Sequence, residues 1–147
     1  MAERAFTDEQ LALVLQTSRD FAFEQIEQGM PLLPFATCVR PDGEMGFTRF
    51  ADPGTDKTPD EVLTLTQDEV AKEAGKGGLI AAAIVAAVKM PQPEDGMDDA
   101  IRIQVEAPGF ARQFLAFYAL SAAEGGGQAV KPGKLVPFDA EPAIFDA

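Results

Sequence analysis

Asp99-Ala-Ile-Arg-Ile-Gln-Val-Glu106, Ala107-Pro-Gly-Phe-Ala111 and Arg112-Gln-Phe-Leu-Ala-Phe-Tyr-Ala-Leu120 follow one another without interruption. The first limb alternates apolar and polar residues with the two-residue period of a strand. Pro108-Gly109 breaks the alternation, and the second limb resumes it with aromatic side chains on both faces. Such a pair of limbs is a β-hairpin, and a hairpin with apolar residues on both faces needs a cover on each.

A three-residue loop at 108–110 puts Ile101, Ile103, Val105, Gln113, Leu115 and Phe117 on one face. Arg102, Gln104, Glu106, Arg112, Phe114 and Tyr118 then share the other, with Glu106 opposite Arg112. A two-residue Pro-Gly loop would move this register by one and exchange the faces of the second limb. In the three-residue register the first face is core beneath helices. The second places Phe114 and Tyr118 among charged and amide side chains, the composition of a protein interface. Arg102, Arg112, Phe114 and Tyr118 are therefore the candidate contact residues. The competing cover is the chain's own tail, whose Ile144 and Phe145 are expected to dock back on the core.

The elements around this hairpin announce themselves by their punctuation. Thr7 and Gln10 have the spacing of a capping box, and Asp8 and Glu9 suit the positive end of a helix. Leu11, Val14, Leu15, Ser18, Ala22 and Ile26 recur at spacings of three and four, so a helix is expected over 8–27, closed by Gly29 and Pro31. The segments 33–40 and 44–50 flank Pro41-Asp42-Gly43, a three-residue hairpin loop with glycine in the left-handed position. That register pairs Arg40 with Glu44, Val39 with Met45 and Thr37 with Phe47. Thr58-Pro59-Asp60-Glu61 opens a second helix, with a restart or kink expected at Thr66-Gln-Asp-Glu69 and an end at Gly75, Gly77 and Gly78. The apolar run 79–90 fits a central strand covered on both faces better than a buried helix. An acidic, turn-rich linker is expected over 91–98, a flexible loop at 124–127, a turn at 131–134 and a short strand at 135–138.

Helix, two strands, helix, three strands and a short strand make an α+β domain. Two helices pack on a mainly antiparallel sheet of five to six strands. A chain of 147 residues fits one such domain over its whole length. The element order over 7–120 resembles roadblock and profilin-like sensory or scaffold domains, and that resemblance implies dimerisation through a sheet edge or the helix layer. The C-terminal strand departs from it, standing where roadblock domains carry a helix. The segment Asp99-Ala-Ile-Arg-Ile-Gln-Val-Glu106 also resembles one found in small bacterial proteins of unknown function, which implies no activity.

Composition narrows the chemistry. The chain has no histidine, which removes Ser-His-Asp and Cys-His nucleophile systems and histidine metal sites. Its single cysteine, Cys38, cannot form an internal disulfide and sits in mid-strand as a small hydrophobe, which suits a reducing, cytoplasmic setting. Twenty-four acidic against twelve basic residues leave a net charge of −12, which disfavours nucleic acid and anionic membranes. The first residues lack a basic segment followed by an apolar run, so no secretory leader is expected. Ten consecutive apolar residues are too few to span a bilayer.

Carboxylates are the remaining candidates. Glu94, Asp95, Asp98 and Asp99 could gather a hard cation but lack EF-hand spacing. Glu106 with Glu44 or Glu24 could form a glycosidase-like pair. Gly75-Lys-Gly-Gly78 and the glycines at 125–127 read as connectors, because neither opens a helix. Lys131 and Lys134 are too few for a nucleic-acid patch. No catalytic, cofactor-binding or metal-ligating residue is assigned, and an enzyme is disfavoured. The expectation is a non-catalytic association or scaffold domain acting as a homodimer. The alternatives are an acidic inhibitory or immunity-type partner of a basic protein, and a small-ligand binder using carboxylates and arginines between sheet and helices.

Overall fold

Both helices begin where a threonine caps them. The computed structural model describes residues 7–29, 32–49, 56–94, 97–122, 128–141 and 144–145, with the backbone alone at 90–94 and 98. Helix α1 spans Asp8–Glu27 and α2 spans Pro59–Gly75. At α1 the Gln10 amide N–H donates to Thr7 Oγ1 at 3.2 Å, and Gln10 Oε1 accepts from the Thr7 amide at 3.0 Å. Thr58 and Glu61 repeat the arrangement at α2 with the same two distances, 3.2 and 3.0 Å. These reciprocal bonds satisfy two of the amide donors that a helix start leaves free. The break expected at Thr66 does not occur. Its hydroxyl donates back to the Val62 carbonyl at 2.7 Å, so the residue is absorbed into one continuous helix.

Six strands form one antiparallel sheet in the order β2-β1-β3-β4-β5-β6, which with the two helices is the expected α+β class. They are β1 (Phe35–Val39), β2 (Met45–Thr48), β3 (Ala81–Glu94), β4 (Met97–Ala107), β5 (Phe110–Ala122) and β6 (Gln128–Asp139). The first hairpin has the register read from its turn, Thr37 on Phe47 and Val39 on Met45, and Gly43 takes a φ of +88°. The Arg40 amide donates to the Glu44 carbonyl at 2.9 Å, which closes the loop.

The apolar run 79–90 is the interior strand β3, paired with β1 on one side and β4 on the other. Its buried residues divide by parity. Ala81, Ala83 and Val85 pack in the α1 cluster, and Ala82 and Ile84 pack in the α2 cluster. Small side chains on both faces let a helix approach each side of the same strand. Against α1 the sheet also contributes Phe35, Val39, Ile101, Ile103 and Val105, which meet Val14, Ala22, Phe23 and Ile26. Between the layers, Ser18 Oγ and Thr37 Oγ1 lie 2.7 Å apart, each the other's partner in a buried site.

Three further expectations change. The second hairpin turns on two residues, with Ala107 paired to Phe110 and Gly109 at φ +76°. Proline holds φ near −65°, so Pro108-Gly109 has the φ pair of a type II turn, outside the primed turns that two-residue hairpins favour. The register is therefore one residue from the three-residue reading: Ile103 faces Phe114, Ile101 faces Ala116, and Glu106 faces Ala111 instead of Arg112. Strand pairing also enters the expected linker, with β3 and β4 running on to pair Glu94 with Met97. The C-terminal strand has 12 residues and includes Lys131-Pro-Gly-Lys134. Pro132 is tolerated there because β6 is an edge strand. At Gly133, a Cβ would come within 3.0 Å of the Phe117 carbonyl and 2.6 Å of Met97 Sδ, so glycine suits the close approach there. The glycines at 125–127 lie outside the described residues.

Candidate functional site

The altered register decides which side chains the sheet offers. Phe114 and Tyr118 join Ile101, Ile103 and Val105 under α1, where the Phe23 and Tyr118 rings lie 5.5 Å apart. Each is only 8% exposed, so α1 is the cover these aromatics needed. Arg112 pairs with Val105 on the same side of the sheet but is exposed. Arg102 aligns with Ala86 and Leu115 on the opposite side. The four candidate contact residues are thus divided between two faces and form no single patch. Tyr118 is held above its ordinary pKa, first by burial and then by the Asp99 carboxylate.

On the second face the tail docks as its apolar residues suggested, but not over Phe114 and Tyr118. Ile144 and Phe145 join the α2 cluster. Glu106, fully buried, holds them there. Its Oε1 accepts from the Ile144 amide at 2.8 Å and from the Phe145 amide at 3.3 Å, while Oε2 accepts from Gln104 Nε2 at 2.8 Å. Gln104 Nε2 also reaches the Glu141 carbonyl at 3.3 Å. A glycosidase-like pair with Glu24 is excluded by position, because the sheet stands between Glu106 and α1. Glu44 closes the β1–β2 turn, where its amide bonds to Asp42 Oδ1 at 3.0 Å. Of the acidic loop, the side chains of Glu94, Asp95 and Asp98 lie outside the described residues. Asp99 pairs with Lys89 at 3.9 Å, and no group of potential metal ligands occurs among the described residues.

Two surface features bear on function. The first is the outer half of the second face. Ala100, Leu115 and Phe117 pack with Val88, Met97 and Val136 in a cluster to which neither helix contributes. Leu115 lies in a shallow depression of about 290 Å³ shared with Val88, Arg102, Gln113 and Phe138. Phe138 stands at its rim, 43% exposed.

The second is a cavity of about 380 Å³ between α2 and the start of the sheet. Cys38, Thr48, Val70 and Leu79 line its inner part, and Arg40, Glu69 and Glu73 bring charge to it. Burial pushes the Cys38 thiol above its ordinary pKa. A hydrogen bond with Thr48 and the Arg40 charge oppose that shift, and Glu73 adds to it. A thiol so placed stays protonated at neutral pH and is a poor nucleophile. The sequence sets only Arg40 and Arg49 near Cys38 and does not show the cavity, because its walls come from β1, β2 and α2, which only the fold brings together.

Comparison with known proteins adds no assignment: no family model, no curated protein and no solved structure matches the chain. Among the described residues no helix is long and apolar enough to cross a membrane.

Proposed function

We propose that the protein is a non-catalytic association domain that forms a homodimer through the outer half of its second sheet face. One observation carries this reading: among the described residues neither helix lies over the cluster around Leu115, whereas α1 and α2 cover the other two, and beside the buried Leu115 and Phe117 the face leaves Phe138 43% exposed. The sheet edges are poor alternatives. Strand β2 has four residues, and β6 lacks amide donors at Pro132 and Pro137 and gives its Val130 amide to Glu27 Oε2 at 2.9 Å.

Charge favours the same surface. The chain carries −12 overall, so two copies repel over most orientations. Among the described residues the depression around Leu115 is lined by Arg102 and no carboxylate, which lets a second acidic copy approach there. Four strands about 4.8 Å apart and five residues of about 3.3 Å each span about 300 Å². That is less than the roughly 800 Å² each partner buries in a standard interface, so the dimer is expected to be weak, with a dissociation constant in the micromolar range.

Sedimentation equilibrium tests this. The wild-type mass should rise from monomer toward dimer between about 5 and 500 μM, the range that brackets a micromolar constant. Phe138→Asp, at an exposed position, should remain monomeric throughout with an unchanged far-ultraviolet spectrum. A wild-type monomer at the highest concentration, or a Phe138→Asp variant that dimerises equally well, refutes the reading.

A further inference from the structure

We propose that the cavity between α2 and the β1–β2 hairpin binds a small zwitterion of the free amino acid type, its acid group on Arg40 and its ammonium on Glu73. The site is independent of the dimer face, since it lies at the other end of the sheet. Arg40 and Glu73 face one cavity and carry opposite charges, yet neither forms an ion pair within 4.0 Å among the described residues. Both are held by backbone. Arg40 closes the hairpin through its amide bond to Glu44, and Glu73 sits in the last turn of α2.

Gly78 supplies a second observation. A Cβ at this position would touch the Glu73 carboxylate where it now lies, and the exposed side chain would have to swing aside, so Gly78 leaves that group room at the cavity wall. Gly78 adopts no left-handed φ, and its amide donates to the Glu73 carbonyl at 3.1 Å, which fixes the backbone beside the Glu73 side chain. Deeper in, Val70 and Leu79 offer an apolar wall and Cys38 a protonated thiol.

The charges select the ligand class. A simple anion meets Glu73 as well as Arg40, and a simple cation meets Arg40 as well as Glu73. A molecule carrying both charges satisfies both. Glu69 is already engaged by Lys72 at 3.1 Å, which leaves Glu73 as the principal acceptor. With each water taking about 30 Å³, 380 Å³ admits about a dozen water-sized groups, which suits a single amino acid. Arg40 and Glu73 are both exposed, and exposed ion pairs contribute little, so the expected affinity is millimolar.

The test uses the full chain with the common free amino acids, each at about 10 mM, and two blocked forms of every hit, the amide and the N-acetyl derivative. Cysteine is left out because its thiol would consume the alkylating reagent, and tyrosine because it is too insoluble. At tenfold excess over the dissociation constant the melting midpoint should rise by about 4 °C. Occupancy of about nine-tenths should also slow iodoacetamide alkylation of Cys38, the only thiol, about tenfold. Arg40→Gln and Glu73→Gln should abolish both effects while leaving the unliganded midpoint in place, and Gly78→Ala should weaken binding by displacing the carboxylate. Three outcomes overturn the proposal: no amino acid producing either effect, blocked forms protecting Cys38 as well as the parent, or binding undiminished in Arg40→Gln and Glu73→Gln.

Discussion

Glu106→Ala tests how the tail is held. In the native protein the Glu106 carboxylate accepts the buried Ile144 amide at 2.8 Å, the Phe145 amide at 3.3 Å and Gln104 Nε2 at 2.8 Å. Alanine at 106 leaves the Ile144 amide buried without this acceptor, which costs about 1–3 kcal/mol if the tail stays in place. The chain can escape that penalty by releasing the tail, and the loss is then the burial of Ile144, about 1.5–3 kcal/mol. The chain takes the cheaper route, so the destabilisation is expected at about 1–3 kcal/mol. Ile144→Ala should cost about 2 kcal/mol through the same docking contact.

The double variant distinguishes this account from two independent effects. Once the tail is released, removing Ile144 as well has little left to remove. Glu106→Ala with Ile144→Ala should therefore cost about as much as the larger single, a coupling near 2 kcal/mol. Glu106→Gln should fall between, at about 1 kcal/mol, since its amide oxygen can still accept from the tail while its NH2 opposes that of Gln104. Urea unfolding measures all four stabilities, and hydrogen exchange at Ile144 reports tail release directly. Additive losses within about 0.5 kcal/mol, or an Ile144 amide as protected in Glu106→Ala as in wild type, would refute the clamp.

Ser18→Ala should cost about 1–3 kcal/mol by leaving the buried Thr37 hydroxyl without its partner, and adding Thr37→Val should recover most of it, as urea unfolding will show. Tyr118 links stability to alkaline pH. Its folded pKa lies above the ordinary 10.0, so its contribution is full below pH 10.0 and is lost as pH rises through the folded value. Tyr118→Phe should blunt that alkaline loss. With one tyrosine and no tryptophan in the chain, phenolate absorbance follows this single group. Ionisation at the free-tyrosine value would contradict the burial beneath α1.

Legibility followed the range of the interactions. The helix starts were readable because a capping box is closed within four residues, Thr7 with Gln10 and Thr58 with Glu61. The first hairpin was readable because Gly43 can take the positive φ its loop demands and the charges at Arg40 and Glu44 agree with it. At Pro108-Gly109 local chemistry is ambiguous between two loop lengths, and one residue of register moves Phe114 and Tyr118 from an outer face to the core. The packing of α1 on the sheet settles that choice. Thr66 shows the reverse error, a local cap signal overridden by a hydroxyl that bonds to its own helix. The length of β6 was hidden for a related reason. Pro132 and Gly133 read as a turn locally, and only the edge position and the space beside Phe117 admit them to a strand.

By itself the chain's order of residues determined the two helices, the hairpins, the α+β class and the exclusion of histidine chemistry, because periodicity, caps and composition are local quantities. Only the tertiary structure decided which aromatics are buried, where the tail docks and which charges share a cavity. Arg40 and Glu73 stand 33 positions apart in sequence and meet at one cavity because β1 and α2 pack side by side. Contacts of that kind depend on register and layering, which no local pattern encodes.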